Sequence, residues 1–437
     1  MANTSTFTAD MGWIMARAFK SSISNTSNAY IAIARAEPWS NDSTPPQANS
    51  SVDTIYELWR NIIGGKKITG GDISYVIRRQ DWSANSVYIP YDCERSTLYG
   101  AANLHYVLTE DFNVYKCLYN SGNANSTVKP ISTNPNTTYS TADGYIWKYM
   151  YTLSDVDRIR FTTTEWIPVR TLVANDGSLQ WRVQQAALDG GIDVIRITNP
   201  GSGYTSQPTV AFSGDGSGAA ASLIANTTSG LLTNVVITAR GSGYSFGNAI
   251  VSGVGTDGTL AIDIGPKGGH GADPVSELGA KTLMINARLR ADEGGKIPTT
   301  NDFRQIAILF DPLAYAGNAF SGTAFSQTTR LAVTGSGANF AQDEYVFQGT
   351  TFESSTFSGE LIEFDTANGI VKLVETVGTP IAAPLIGATT AASRYVTSVT
   401  NPDLTRNSGK IVYIDNVSPV TRNPSQTEDI KLIISFL

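Results

Sequence analysis

The feature that most restricts the fold of this chain is an internal repeat. Val194-Ile195-Arg196-Ile197-Thr198-Asn199-Pro200-Gly201-Ser202-Gly203-Tyr204 recurs as Val235-Val236-Ile237-Thr238-Ala239-Arg240-Gly241-Ser242-Gly243-Tyr244. Gly201, Gly203 and Tyr204 match Gly241, Gly243 and Tyr244 at an offset of 40 residues, and Gly218 and Gly258 keep that offset. Each copy reads as a β-branched strand, a glycine turn and further short strands, since glycine takes turn conformations that other residues resist. Two copies fall short of the three or more that a solenoid needs. The pattern therefore predicts one compact β-module of two similar halves over about 191–268.

The remainder also reads mainly as strands. One helix is predicted over about Thr8 to Phe19, where Met11, Ile14, Met15, Ala18 and Phe19 share a face. A second has Ser50 as cap, Asp53 in its first turn and an apolar stripe of Ile55, Leu58, Trp59 and Ile62, and Gly64-Gly65 is read as its stop. Residues 121–142 form a polar Asn/Ser/Thr/Pro loop. Asp273-Pro274 opens a short helix, because proline suits the first helical position. Strands are predicted at Leu283 to Leu289, Phe303 to Phe310 and Lys410 to Ile414, and over a final stretch in which Ile430, Leu432, Ile434 and Phe436 alternate with polar residues. Within 319–402, Tyr345 to Phe347, Glu360 to Phe364 and Ile370 to Val374 are strands, with Thr366-Ala367-Asn368-Gly369 as a hairpin turn.

The resulting fold class is mainly β with some α (α+β), an antiparallel sandwich or barrel core with a few helices and two inserted small β-modules. The divisions are 1–190 (core β with N-terminal helices), 191–268 (the repeat module), 269–318 (core continuation), 319–402 (a small barrel or sandwich) and 403–437 (C-terminal core strands).

Composition narrows the functional classes. Charged residues make up 16% of the 437, against roughly 25% in ordinary soluble domains, and 40 glycines with many Ser, Thr and Asn take their place. Such neutral surfaces suit packing against other proteins. A net charge of −7, with no basic stripe beyond Lys66-Lys67 and Arg78-Arg79, argues against nucleic acid as partner. No apolar run reaches membrane-spanning length. The first charge is Asp10 and the stretch Trp13-Ile14-Met15-Ala16 stops at Arg17, so no signal peptide is predicted. Cys93 and Cys117 are too few for a disulfide scaffold and fit synthesis in a reducing cytoplasm, with a single bridge left open.

Catalytic patterns are scarce, and neither enzyme activity nor a cofactor is expected. His105, within Asn103 to Leu108, reads as a satisfied strand histidine and His270 as part of a plain glycine turn. Ser217 in Gly214-Asp215-Gly216-Ser217-Gly218 lacks a base, and its continuation reads as a strand. Asp215 and Asp257 lack the alternating ligands of a calcium loop. Glu360 and Glu363, at strand spacing, are expected on opposite faces, which spoils a glycosidase pair.

Five short signatures remain: Glu37-Pro38-Trp39-Ser40, Arg78-Arg79-Gln80-Asp81-Trp82, Asp143-Gly144-Tyr145-Ile146-Trp147, Phe303-Arg304-Gln305-Ile306 and Gln426-Thr427-Glu428. Trp39 reads either as an interface anchor or as a plug in its own domain. Arg78, Arg79 and Asp81 read as an intersubunit or a local ion pair. In this order the set resembles the dimeric baseplate wedge proteins of large contractile-tailed, T-even-type bacteriophages, over about 1–190, 269–318 and 403–437.

The resemblance implies a structural virion protein, made in the host cytoplasm and placed in the tail baseplate. Its implied partners are a second copy of itself, other wedge proteins and tail-fibre attachment proteins, with neither nucleic acid nor membrane. Glu37, Pro38, Trp39, Arg78, Arg79, Asp81, Trp82, Asp143, Tyr145, Trp147, Phe303, Arg304 and Gln305 are the candidate interface residues. The two modules outside the match are expected to face outward and brace neighbouring subunits or fibres. The alternatives are a trimeric tail spike or fibre binding host-surface glycans, which the well-formed early helices oppose, and a secreted carbohydrate-binding array, which the missing signal peptide opposes.

Overall fold

A computed structural model describes residues 11–95, 104–315 and 317–436. The elements run α1 (Met11–Ser21), β1 (Ala29–Ala34), α2 (Val52–Asn61), β2 (Ile62–Ile68), β3 (Ile73–Arg78), β4 (Tyr106–Leu108), β5 (Asn113–Asn120), β6 (Tyr139–Ser140), β7 (Tyr145–Thr152), α3 (Asp155–Phe161), β8 (Trp166–Val169) and α4 (Leu179–Gln185). The repeat region supplies β9 (Ile192–Ser202), β10 (Thr209–Gly214), β11 (Ser217–Asn226), β12 (Leu231–Ser242), β13 (Gly247–Ser252) and β14 (Thr256–Ile264). Then come α5 (Pro274–Glu277), β15 (Thr282–Arg290), β16 (Asp302–Phe310), β17 (Ala324–Ser326), β18 (Thr329–Thr334), β19 (Tyr345–Gln348), β20 (Phe357–Asp365), β21 (Ile370–Gly378), β22 (Pro384–Gly387), β23 (Ser393–Thr400), β24 (Lys410–Thr421) and β25 (Thr427–Ser435). The protein is mainly β with short helices, in two compact units: residues 1–16, 74–284 and 433–437, and residues 17–73 and 285–432.

In the second unit an antiparallel sheet is ordered β17-β2-β1-β16-β24. All six residues of β1 are buried, as suits a central strand with both faces covered. The helix before β2 differs from its sequence reading at both ends. Ser51, not Ser50, caps α2 by accepting from the Thr54 amide. Gly64 and Gly65 do not stop it; they lie inside β2, opposite Ile33 and Ala32. Residues 8–10 of the first predicted helix lie outside the described residues, and α1 continues past Phe19 into one π-helical turn over Ser22–Thr26.

The 319–402 stretch contains a closed antiparallel barrel, β18-β21-β20-β19-β22-β23. Leu331, Val346, Phe357, Leu361, Leu373 and Val396 fill its interior. Glu360 and Glu363 do not point to opposite faces. Glu360 pairs with Val374 and Glu363 with Lys372, so a bulge at Ile362 returns both carboxylates to one face. They still form no catalytic pair. Glu360 lies 3.4 Å from Arg35, and Glu363 lies 2.5 Å from Lys372 and accepts from the Thr299 amide at 2.9 Å.

Burial, with Glu375, Glu37 and Asp343 nearby, pushes the Glu360 carboxyl up to about 7 against the opposing pull of Arg35. A raised folded value means that the protonated form is favoured by folding. The contribution is fully present below the unfolded value of 4.5 and is lost as pH rises through about 7. Thermal melts at about pH 5 and pH 8 are therefore expected to show a pH-dependent loss in the native chain that Glu360→Gln reduces. An identical decline in the variant would refute this assignment.

In the first unit a sheet is ordered β4-β5-β7-β6, and its central strands β5 and β7 are buried along most of their length. Tyr145, Trp147 and Tyr149 alternate along β7 onto one face, where α4 adds Val183. Met150 joins Leu108, Val114 and Ile167 in another cluster, to which Val275 and Leu278 contribute.

The repeat resolves into three antiparallel pairs: β9 with β14, β11 with β12, and β10 with β13. The first two are equivalents, down to the bulge between Thr259/Leu260 in one and Ala220/Ala221 in the other. The third pairs with itself across an internal two-fold, with Val210 opposite Val251 and Ala211 opposite Ile250.

This register corrects the offset at its far end. Ala219 faces Arg240 where Gly258 faces Pro200, so the structural equivalent of Gly218 is Asp257. Both take positive φ, 77° and 60°. The matched tyrosines pack against glycines of the module. The Tyr204 side chain lies where a Cβ on Gly255 or Gly258 would be, and the Tyr244 ring does the same to Gly216. Each tyrosine thus packs into the other half of the repeat, and its amide bonds the carbonyl of Gly230 or Gly190.

Candidate functional site

The signature residues gather into groups. In the second unit the Trp39 indole donates to the Val417 carbonyl at 3.0 Å, and its amide donates to Asp42 at 3.1 Å. Asp42 lies 3.6 Å from Arg304, which also meets Asp302 at 2.6 Å. Phe303 is buried, Gln305 donates to Asn416 at 2.9 Å, and Glu37 and Pro38 are exposed. Two motifs distant in sequence therefore converge on β24.

In the first unit the Trp82 indole donates to the Ser126 hydroxyl at 3.1 Å, and Asp143 accepts from the amides of Thr127 and Val128 at 2.7 and 2.9 Å. The Tyr145 hydroxyl donates to the Ala124 carbonyl at 2.6 Å, and its ring stacks on buried Trp147 at 5.4 Å. These bonds pin one end of the polar 121–142 loop. Arg78 pairs with Glu165 at 2.9 Å and lies over the Trp166 ring, and Arg79 pairs with Asp81 at 3.0 Å. Both pairs are partly exposed, where such contacts are each worth about 0–1 kcal/mol.

The most unusual chemistry lies where residue patterns give least warning. Lys116, on β5, is fully buried and donates to Glu277 on α5 at 2.9 Å and to His270 at 2.9 Å. Its ring packs edge-on to Tyr91, whose face also carries the Lys116 ammonium at 4.2 Å. The other Glu277 oxygen accepts from the amides of Gly271 and Asp273 at 2.7 and 3.3 Å. The His270 turn is present, as expected, but its side chain is a buried partner. His105 meets the Glu277 carbonyl at 3.0 Å, as a satisfied histidine should.

Burial would raise the Glu277 carboxyl, but Lys116 and His270 more than offset it and hold it at about 2. Burial and the Lys116 charge push His270 below its ordinary value. The arrangement fixes the segment after the repeat module onto β5.

The core also reaches into the module. In one half of the repeat, Gln207 bonds both the amide and the carbonyl of Ala225, at 2.7 and 3.0 Å. The equivalent of Gln207 is Gly247, and there the Ile264 backbone is met by the Tyr91 hydroxyl at 3.2 Å and by the Cys93 thiol. Donor atoms of Asp92, Cys93 and Asp263 come within 4.8 Å of one another. Asp263 is already held by Arg196 at 2.9 Å, so a cation would have to displace that guanidinium. Cys93 and Cys117 are both free. Asp215, one of the two carboxylates considered for calcium, accepts from the Ser245 hydroxyl and from the amides of Ser245 and Phe246, and so ties a loop.

Comparison with known proteins gives one distant relationship to report. The chain is similar to Baseplate wedge protein gp8 of Enterobacteria phage T4, 23% identical over a 184-residue alignment that covers 32% of this chain and 52% of that protein. It thus spans about half the length of the curated relative it matches. No family model matches. Among the described residues no helix is long and apolar enough to cross a membrane.

Proposed function

We propose that this chain is a structural subunit of a bacteriophage tail baseplate, of the wedge type, that forms a homodimer and joins neighbouring wedge proteins by contact area. The observation that carries the reading is the similarity to the T4 wedge protein. The ordered signatures support it, since they bind distant segments into firm local frames. A subunit that must transmit force during contraction benefits from such frames, because rigid elements keep their shape while contacts between them rearrange. The charge-poor composition supports it as well, as interface cores are depleted in charge.

Immunogold labelling of virions tests the assignment. Antibody against this chain is expected to mark the baseplate end of contractile tails. Label along the fibres, or on tails that do not contract, would overturn it.

A further inference from the structure

The buried cluster around Lys116 holds more than an ion pair, because its atoms stand in the arrangement of a condensation reaction. The Lys116, His270 and Glu277 side chains belong to residues that are each at most 2% exposed, so bulk water is kept out. The Lys116 nitrogen Nζ lies 2.9 Å from Oε2 of Glu277. His270 Nδ1 lies 2.9 Å from Nζ and 3.7 Å from Oε2, beside both the atom that can give up protons and the atom that can take them. The other carboxyl oxygen, Oε1, accepts from the Gly271 amide at 2.7 Å and from the Asp273 amide at 3.3 Å. A nucleophile, a proton carrier and two amide donors around one carboxyl carbon are the parts of an acyl-transfer site.

We infer that Lys116 and Glu277 condense to an intramolecular isopeptide bond, with His270 carrying the proton. The step starts from the ion pair. Nζ passes one proton to Oε2 across their hydrogen bond, which leaves a neutral amine beside a neutral acid. Burial opposes both charges and so lowers the cost of that exchange. The Nζ lone pair attacks the Glu277 carboxyl carbon, and the π pair of the carbonyl moves onto Oε1, where the two amides hold the negative charge. Nζ gives a second proton to His270 Nδ1, the ring being protonated on Nε2 for this step, and Nδ1 hands it to the Oε2 hydroxyl. As the Oε1 pair returns, the bond from carbon to Oε2 breaks and water leaves. The third proton stays on the amide nitrogen. One ammonium and one carboxylate thus become one amide and one water, with no other reactant consumed.

The fold drives the reaction, since the two groups cannot separate while it holds. Well-oriented groups react at effective concentrations on the order of 10⁵ M or more, and the water is released to solvent. The product ties β5 to α5 and closes the chain covalently across the repeat module, because β9 to β14 all lie between the two residues. A force pulling on the module then meets a covalent bond instead of an ion pair. The uncondensed chain alone keeps the titrating carboxyl of Glu277.

Intact-mass spectrometry of the full chain, denatured after prolonged incubation in the folded state, tests this. The native chain is expected one water lighter than the mass of its residues, and Glu277→Ala at its full mass. Tryptic digestion is expected to give a species that joins residues 96–148 to residues 268–281, because trypsin does not cut at an acylated Lys116. This mapping uses the native chain, so it decides the matter even where the variant fails to fold. A native chain at its full mass would overturn the inference. So would a lost water that persists in folded Glu277→Ala or that maps outside the joined peptides, since a cyclised aspartate loses the same mass.

Discussion

Lys116→Met is expected to cost about 3–5 kcal/mol of stability, because it strands the Glu277 carboxylate in the interior of the first unit. Lys116 has no exposed surface, and its ammonium supplies the main attraction that keeps Glu277 ionised. Removing one partner of a buried pair is far worse than removing both, since the survivor keeps its desolvation cost. The double variant Lys116→Met/Glu277→Gln should therefore recover much of the loss. Its glutamine side chain still offers an oxygen to the Gly271 amide, which the native carboxylate accepts from. Urea unfolding followed by tryptophan fluorescence measures both.

A pH series adds a second test. Glu277 is lowered from 4.5 to about 2 in the fold, so its contribution is present above pH 4.5 and disappears as pH falls towards 2. His270 is lowered from 6.5, which adds a loss in the same direction as pH falls below that value. The acid sensitivity of the double variant should be smaller than that of the native chain. Equal stability of Lys116→Met and the native protein would show that the pair contributes nothing.

This cluster illustrates what sequence could not show. Lys116 sits in the strand-like run Val114-Tyr115-Lys116-Cys117-Leu118, where alternation reads a lysine as one solvent-facing position. Val114 to Leu118 are all buried, so the lysine had nowhere exposed to go. Its partners come from α5 and the turn before it, beyond the whole repeat module, and spacing cannot bring them together. The only hint was a lysine among large apolar residues.

The repeat was legible for the opposite reason. Its information is local: strand, Gly-x-Gly turn, tyrosine. The register was less so, because Asp257 takes the positive φ of Gly218 and the nearest glycine, Gly258, masks the slip. The signatures were visible as motifs, but the convergence of Trp39 and Gln305 on β24 depends on pairing across the chain. The bulge at Ile362 likewise has no sequence mark. It turns Glu360 and Glu363 to one face while both neighbours, Leu361 and Ile362, stay buried.

Gly65→Ala is expected to be among the most damaging single substitutions in the second unit, at about 3 kcal/mol or more. The glycine pair follows a helix, and local grammar reads it as a stop signal. Its actual cause lies far along the chain. A Cβ on Gly65 would fall 2.4 Å from the Ile31 carbonyl oxygen and 2.5 Å from the Phe325 ring. The oxygen belongs to central strand β1 and cannot withdraw without breaking the ladder. The ring is buried against Tyr30 in the core beneath.

Two companions separate the causes. Phe325→Leu in the Gly65→Ala background removes the ring clash but not the carbonyl clash, so recovery should be partial. Gly71→Ala, where a Cβ meets nothing closer than 3.8 Å, should change stability by less than about 0.5 kcal/mol. If Gly65→Ala melts with the native chain, close packing is not why β2 contains two glycines. If instead it is destabilised and Phe325→Leu restores it fully, the ring alone excludes a side chain there, and the strand spacing at Ile31 has room to spare.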